Sequence, residues 1–286
     1  MIAIVENPFT LIRGRKILAV VFLTLISIGI LLVSFGSDLS VEKYWVEIGF
    51  CLLWYGLMTW FIIRLVSRVR IDITRLVGKI PQKTEILFNT LWAIPLASIS
   101  IGGIWLIFLP LSYLFPNFVD FWLIEDSFMI IWPTGSIVGI ANFVNFGIII
   151  IIVPIVEEFI FRGLLLSRWS VKWGVPRAVI VSSIIFGLMH VDVVGGIVFG
   201  YVMAILYIKT KSLIIPMAVH SANNLIYWLL ALWVTLSQNS ITEYTLFDFQ
   251  SNWWIGTIGL IIGLPWVIRF IITNRLRSSL QIPYFA

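Results

Sequence analysis

The chain has 286 residues, of which 60% are hydrophobic and 12% charged, and it carries a formal net charge of +5. Soluble domains carry about 25% charged residues, so no soluble fold of this length could cover that much apolar surface, and the solvent for most of the chain is lipid. The positive charge does not point to nucleic acid, because the Lys and Arg residues sit in short segments between apolar stretches and form no basic domain.

Apolar stretches fall at about residues 17–36, 44–63, 86–113, 138–164, 176–191, 193–208, 212–235 and 254–273. Each is read against the roughly 20 residues that cross a hydrocarbon core of about 30 Å. The expected fold is therefore all-α: a polytopic membrane helix bundle of about eight transmembrane helices, forming a single integral membrane domain over residues 1–286. The first stretch follows Arg13, Arg15 and Lys16, but it is too long for a signal-peptide core and lacks an A-x-A site, so it is expected to remain as a span. Cys51 lies in the second stretch, reads as a small buried hydrophobe and leaves no partner for an internal disulfide. The fifth and sixth stretches are short, and a partly re-entrant hairpin is one way to accommodate them.

The charges between the stretches alternate. One set of segments holds Arg13, Arg15 and Lys16, then Arg64 to Lys83, then Arg162, Arg168, Lys172 and Arg177, then Lys209 and Lys211, then Arg269, Arg275 and Arg277. The other set holds only Lys43, among Asp38, Glu42, Asp120, Glu125, Asp126, Asp192, Glu243 and Asp248. The basic set is expected on the cytoplasmic side, with both termini. Within Arg64–Lys83, residues Leu65, Val69, Ile73, Leu76, Val77 and Ile80 recur at helical spacing between basic residues. This predicts an amphipathic helix on the inner leaflet, with a solvated basic loop as the alternative reading.

Ionisable groups inside spans are costly and mark function or inter-helix packing. Glu47 lies early in the second span, Glu157, Glu158 and Arg162 in the fourth, His190 at the end of the fifth, and His220 with Asn223 and Asn224 in the seventh. Glu158 and Arg162 are four apart and share a helix face, whereas Glu157 points about 100° away and has no such partner. Phe186 shares a face with His190, and His220 with Asn224. Pro154, one turn before Glu157, removes a backbone donor and predicts a kink. His220 and Glu157 lie at similar depth, whereas His190, about 20 Å along a straight helix, needs a tilt or turn to reach them.

A desolvated carboxylate is a general base for water, a nearby His can share that water or protonate a leaving amine, and a second His with an Asn amide can face a developing oxyanion. These are the parts of peptide hydrolysis. The same set, Glu157, His190 and His220, could instead hold a zinc ion, and the residues alone do not separate the two. There is no H-E-x-x-H helix, G-x-S-x-G serine or intramembrane aspartate pair. Ser182, Ser183 and Ser221 read as helix-packing residues.

Glu157-Glu158-Phe-Ile-Phe-Arg162, Phe186-Gly-Leu-Met-His190 and His220-Ser-Ala-Asn-Asn224 match EExxxR, FxxxH and HxxxN. With these three motifs in order, residues 140–230 resemble the catalytic core of the CPBP intramembrane proteases, which include type II CAAX prenyl endopeptidases and bacterial Abi proteins. The resemblance implies an eight-helix fold with a site open to the cytoplasm. In it Glu157 and His190 activate water, His220 and Asn224 form an oxyanion hole, and Glu158 and Arg162 brace the site. No cofactor is expected, although a divalent zinc remains open. The implied partners are the lipid bilayer and a membrane-associated or prenylated peptide or protein. A non-catalytic immunity or partner-binding protein on the same scaffold is the alternative, and an ion or proton transporter a more distant one.

Overall fold

The computed structural model describes residues 7–35, 43–124, 130, 139–237, 244–277 and 279–285. Helix α1 (Gly14–Phe35) packs beside α2 (Lys43–Val69), and α3 (Ile73–Val77) and α4 (Lys83–Thr90) lead into α5 (Ala93–Leu114). A long composite helix, α6 (Gly139–Trp173), is followed by α7 (Val175–Leu188), α8 (Val193–Thr210), α9 (Ile214–Ser237) and α10 (Trp253–Thr273). Among the described residues there is no strand beyond one isolated bridge. The protein is thus an all-α polytopic membrane bundle. Among the described residues, six helical stretches are long and apolar enough to cross a bilayer: α2, α4 with α5, α6, α8, α9 and α10. Helix α1 has 22 residues. Helix α7 has only 14, about 21 Å at 1.5 Å per residue, which is shorter than a hydrocarbon core of about 30 Å.

The expected inner-leaflet helix over residues 65–80 is not continuous. Leu65 and Val69 finish α2, and the chain then breaks at Arg70, whose φ is 56°. Asp72 restarts a single turn, its carboxylate accepting from the amides of Thr74 and Arg75. A short acid offers the backbone a local partner, and here that caps a new helix instead of prolonging the old one. Leu76 is fully buried in the protein, while Ile80, past the break, is 81% exposed. Helix α3 is fastened to the α8–α9 turn. The Lys79 amide donates to the Lys211 carbonyl and the Leu213 amide to the Val77 carbonyl, both at 2.8 Å, and the Tyr207 hydroxyl donates to the Leu76 carbonyl at 2.9 Å. Gly78, at φ 75°, allows this approach, because a Cβ there would run into the Lys211 carbonyl oxygen.

Helices α7 and α8 pack backbone to backbone through small residues. A Cβ on Gly200 would lie 2.9 Å from the Ser183 Cα. The Ser182 and Ser183 hydroxyls return to the Val179 carbonyl of their own helix, which leaves the contact surface apolar and close. The first and last described segments meet, Phe9 lying edge-on to Tyr284 with centroids 4.9 Å apart.

Candidate active site

Helix α6 carries the acidic pair, and its backbone is not uniform. It opens to π geometry over Ile148–Ile152, returns to α over Val153–Glu158, and opens again over Phe159–Leu166. Such wide turns recur where a side chain has to be re-aimed. Pro154 accounts for one consequence. In the first wide turn the Val153 amide donates to the Ile148 carbonyl, five residues back. The next carbonyl in that register, Ile149, faces Pro154, which has no N–H to give. The Asn224 side-chain amide fills this gap, donating to the Ile149 oxygen at 2.9 Å. The kink expected at Pro154 is therefore a widened turn, and it fixes Asn224 of α9 against α6.

Glu158 and Arg162 pair as their spacing requires. Arg162 Nη1 donates to Glu158 Oε1 at 2.9 Å, and the two side chains are 1% and 0% exposed. Arg162 Nη2 also donates to the Gly200 carbonyl at 3.3 Å. His220 Nδ1 lies 2.9 Å from the same Glu158 oxygen. A carboxylate paired with Arg only accepts, so His220 Nδ1 carries the hydrogen. Its Nε2 then bears a lone pair in the neutral ring and a hydrogen in the imidazolium.

Glu157 has the distant partner that intrahelical geometry could not supply. The Tyr55 hydroxyl of α2 donates to Glu157 Oε1 at 2.8 Å. The other oxygen, Oε2, is buried without a hydrogen-bond partner and lies 3.8 Å from His190 Nε2. His190 Nδ1 lies 2.7 Å from the Phe186 carbonyl, which can only accept. The Nδ1 position is thus protonated, and the neutral ring turns a lone pair toward Glu157. Two acceptors at 3.8 Å do not bond directly, but one water can donate to both. The His190 side chain is 37% exposed and that of Glu157 is 17% exposed.

The shortness of α7 resolves the depth mismatch anticipated for His190. The helix ends at Leu188, and the chain turns through Met189 and His190, whose amides bond back to Phe186 and Gly187. Phe186 is the hub. Its ring stacks on His190 at 4.3 Å and meets His220 edge-on at 6.0 Å, and the Arg162 guanidinium lies over it at 4.5 Å. The FxxxH phenylalanine therefore holds both imidazoles and the arginine in one aromatic seat. The six candidate site residues, Glu157, Glu158, Arg162, His190, His220 and Asn224, lie on α6, α9 and the turn after α7, each held by a polar contact. Tyr55 is the participant that sequence reasoning missed. The available signal was a phenol in an apolar span, whose hydroxyl needs a partner when buried. Asn142, Asn145 and Asn223 are further buried polar residues in the same bundle.

A zinc centre needs at least three protein donors converging near 2.0–2.3 Å from one point. Among the described residues no three His, Cys, Asp or Glu side chains converge in that way. Tyr55, Phe186 and Glu158 engage Glu157 Oε1, His190 Nδ1 and His220 Nδ1, which leaves Glu157 Oε2 and the two Nε2 atoms as the unengaged donor atoms. As placed, these donor atoms do not converge on one zinc position.

The family model described as type II CAAX prenyl endopeptidase Rce1-like matches residues 139–226. That stretch begins with α6 and ends in α9 just past Asn224. A Bacillus subtilis (strain 168) protein named "Putative membrane peptidase YdiL" is 32% identical over 96 residues, which are 32% of this chain and 39% of that protein. The match therefore spans about two fifths of the relative's length. No solved structure matches the chain significantly.

Proposed function

We propose, from the premise that this chain belongs to the CPBP intramembrane protease family through residues 139–226, that it is an endopeptidase working by glutamate-activated water. The observation that carries this reading is the buried, unpartnered Glu157 Oε2 lying 3.8 Å from His190 Nε2. A water between them donates one hydrogen to each, so its lone pairs point away toward an incoming carbonyl carbon. As the water attacks, its proton passes to Glu157, and the carbonyl oxygen takes the negative charge. His220 Nε2, in the imidazolium form, and the second amide hydrogen of Asn224 are the donors for that oxyanion. Collapse breaks the C–N bond, and the proton held by Glu157 goes to the leaving amine. Glu158 and Arg162 do not touch substrate in this scheme; they fix His220 and the turn of α6 that presents Glu157.

The substrate class is a membrane-associated or prenylated peptide or protein, reaching a site open to the cytoplasm. The test is hydrolysis of a prenylated CAAX peptide and a non-prenylated control by purified protein in liposomes. Parent protein is expected to release the C-terminal fragment, and folded Glu157→Gln protein to release none. Cleavage by Glu157→Gln at the parental rate would refute the mechanism. Where neither peptide is cleaved, membrane proteomes of cells carrying parent or Glu157→Gln protein show the substrate as a peptide that accumulates only with the variant.

A further inference from the structure

We propose that the cleft between the end of α8 and the segment following α10 binds the headgroup of an anionic phospholipid from the leaflet on the basic side of the protein. The cleft encloses about 440 Å³, and Lys209, Arg275 and Arg277 line it together with Ile205, Ile208 and Ile272. That volume lies within the range of small-molecule sites, about 300–1,000 Å³. No Asp or Glu is among its lining residues. Among the described residues, no hydrogen bond or ion pair engages any of the three cationic side chains.

Lys209, in the last turn of α8, also complements the negative end of that helix. Arg275 and Arg277 lie beyond α10, which ends at Thr273, and so have no such role within a helix. The neighbouring polar side chains do not compete for a ligand, because Thr273 Oγ1 and Asn274 Nδ2 return to the Arg269 and Phe270 carbonyls of their own helix at 2.8 Å. The cleft thus offers three free cations above an apolar floor of buried Ile205 and Ile208, with Ile272 56% exposed on its flank. A phosphodiester satisfies the cations, and acyl chains running past Ile272 into the bilayer satisfy the apolar flank. A free phosphate would use only the first of these. The site is separate from the acidic pair and does not depend on the protease reading.

Native mass spectrometry of the full chain in non-ionic detergent tests this, with phosphatidylglycerol and phosphatidylcholine as probes. The parent is expected to retain one phosphatidylglycerol per chain in preference to phosphatidylcholine. Each surface cation contributes about fivefold in affinity for anionic lipid. Lys209→Gln/Arg275→Gln/Arg277→Gln should therefore weaken retention on the order of a hundredfold. An Arg64→Gln/Arg68→Gln control should leave it unchanged. If the triple variant does not fold, the single variants Arg275→Gln and Arg277→Gln carry the test at about fivefold each. The proposal is overturned by folded cleft variants that retain the lipid like the parent, by equal retention of phosphatidylcholine, or by displacement of phosphatidylglycerol with millimolar inorganic phosphate.

Discussion

Tyr55 donates its phenolic hydrogen to Glu157 at 2.8 Å across 102 positions of sequence, joining a span without any recognised motif to the proposed catalytic base. The bond occupies Oε1 and leaves Oε2 as the oxygen that faces His190. A hydrogen bond to a charged group contributes about 1.5–3 kcal/mol. Tyr55→Phe is therefore expected to lower kcat about 10- to 100-fold with little change in KM, since the ring and its packing are retained. Steady-state kinetics in liposomes measure this. A purely structural Tyr55 would instead lower stability and leave the turnover of folded protein intact.

The two adjacent glutamates should separate stability from chemistry. Glu158 is enclosed with Arg162 and His220, and neutralising it as Glu158→Gln leaves a buried guanidinium without its counter-charge. Breaking a buried ion pair from one side costs about 3–5 kcal/mol. Glu157, whose hydrogen-bond partner is the neutral Tyr55 hydroxyl and not a buried cation, should tolerate Glu157→Gln with a change below about 1 kcal/mol while losing turnover. Thermal unfolding of both variants, read beside their activity, checks the contrast. Equal destabilisation by the two would contradict the division of roles.

What could be read from the sequence was whatever depended on local spacing. The apolar runs located the helices, and four-residue spacing paired Glu158 with Arg162 and Phe186 with His190. Two features could not be read that way. The Tyr55–Glu157 bond joins residues whose proximity is set by how α2 packs on α6, and no periodicity encodes that. The continuity of the helix expected over residues 65–80 was misjudged, because Leu76 looks equally apolar whether it faces lipid or protein. Only the local geometry of Arg70 and Asp72, together with the bridge to Lys211, turns it inward. The depth of His190 was unclear for a related reason, since hydropathy does not reveal that α7 stops at Leu188.

The bond from Asn224 to Ile149 exists because Pro154 withholds an amide, and this predicts a coupling between the two positions. In the parent, Asn224→Ala leaves the Ile149 carbonyl without its donor and should cost about 1–3 kcal/mol. In a Pro154→Ala background the restored amide can serve that carbonyl. The same Asn224→Ala change should then cost distinctly less, and a double-mutant cycle on unfolding free energies isolates the difference. Additive effects would mean that Asn224 is held on α6 for some reason other than the missing proline donor. Activity gives a second readout: if Asn224 also serves the oxyanion, turnover falls in both backgrounds, even where stability is restored.

Gly200 joins the helix packing to the buried charges, because its carbonyl accepts from Arg162 and its missing Cβ lets Ser183 approach. A methyl group at this position would lie 2.9 Å from the Ser183 Cα, a backbone atom that cannot swing aside. Helices α7 and α8 must then part, and the Gly200 oxygen moves away from the guanidinium. Overpacking of this kind costs about 1–3 kcal/mol. Gly200→Ala is therefore expected to lower the unfolding temperature. It should also reduce turnover, because the Phe186 and His190 seat on α7 moves with the helix. If Gly200→Ala lowers the unfolding temperature while turnover of the remaining folded protein stays at the parental level, the spacing between α7 and α8 does not position His190.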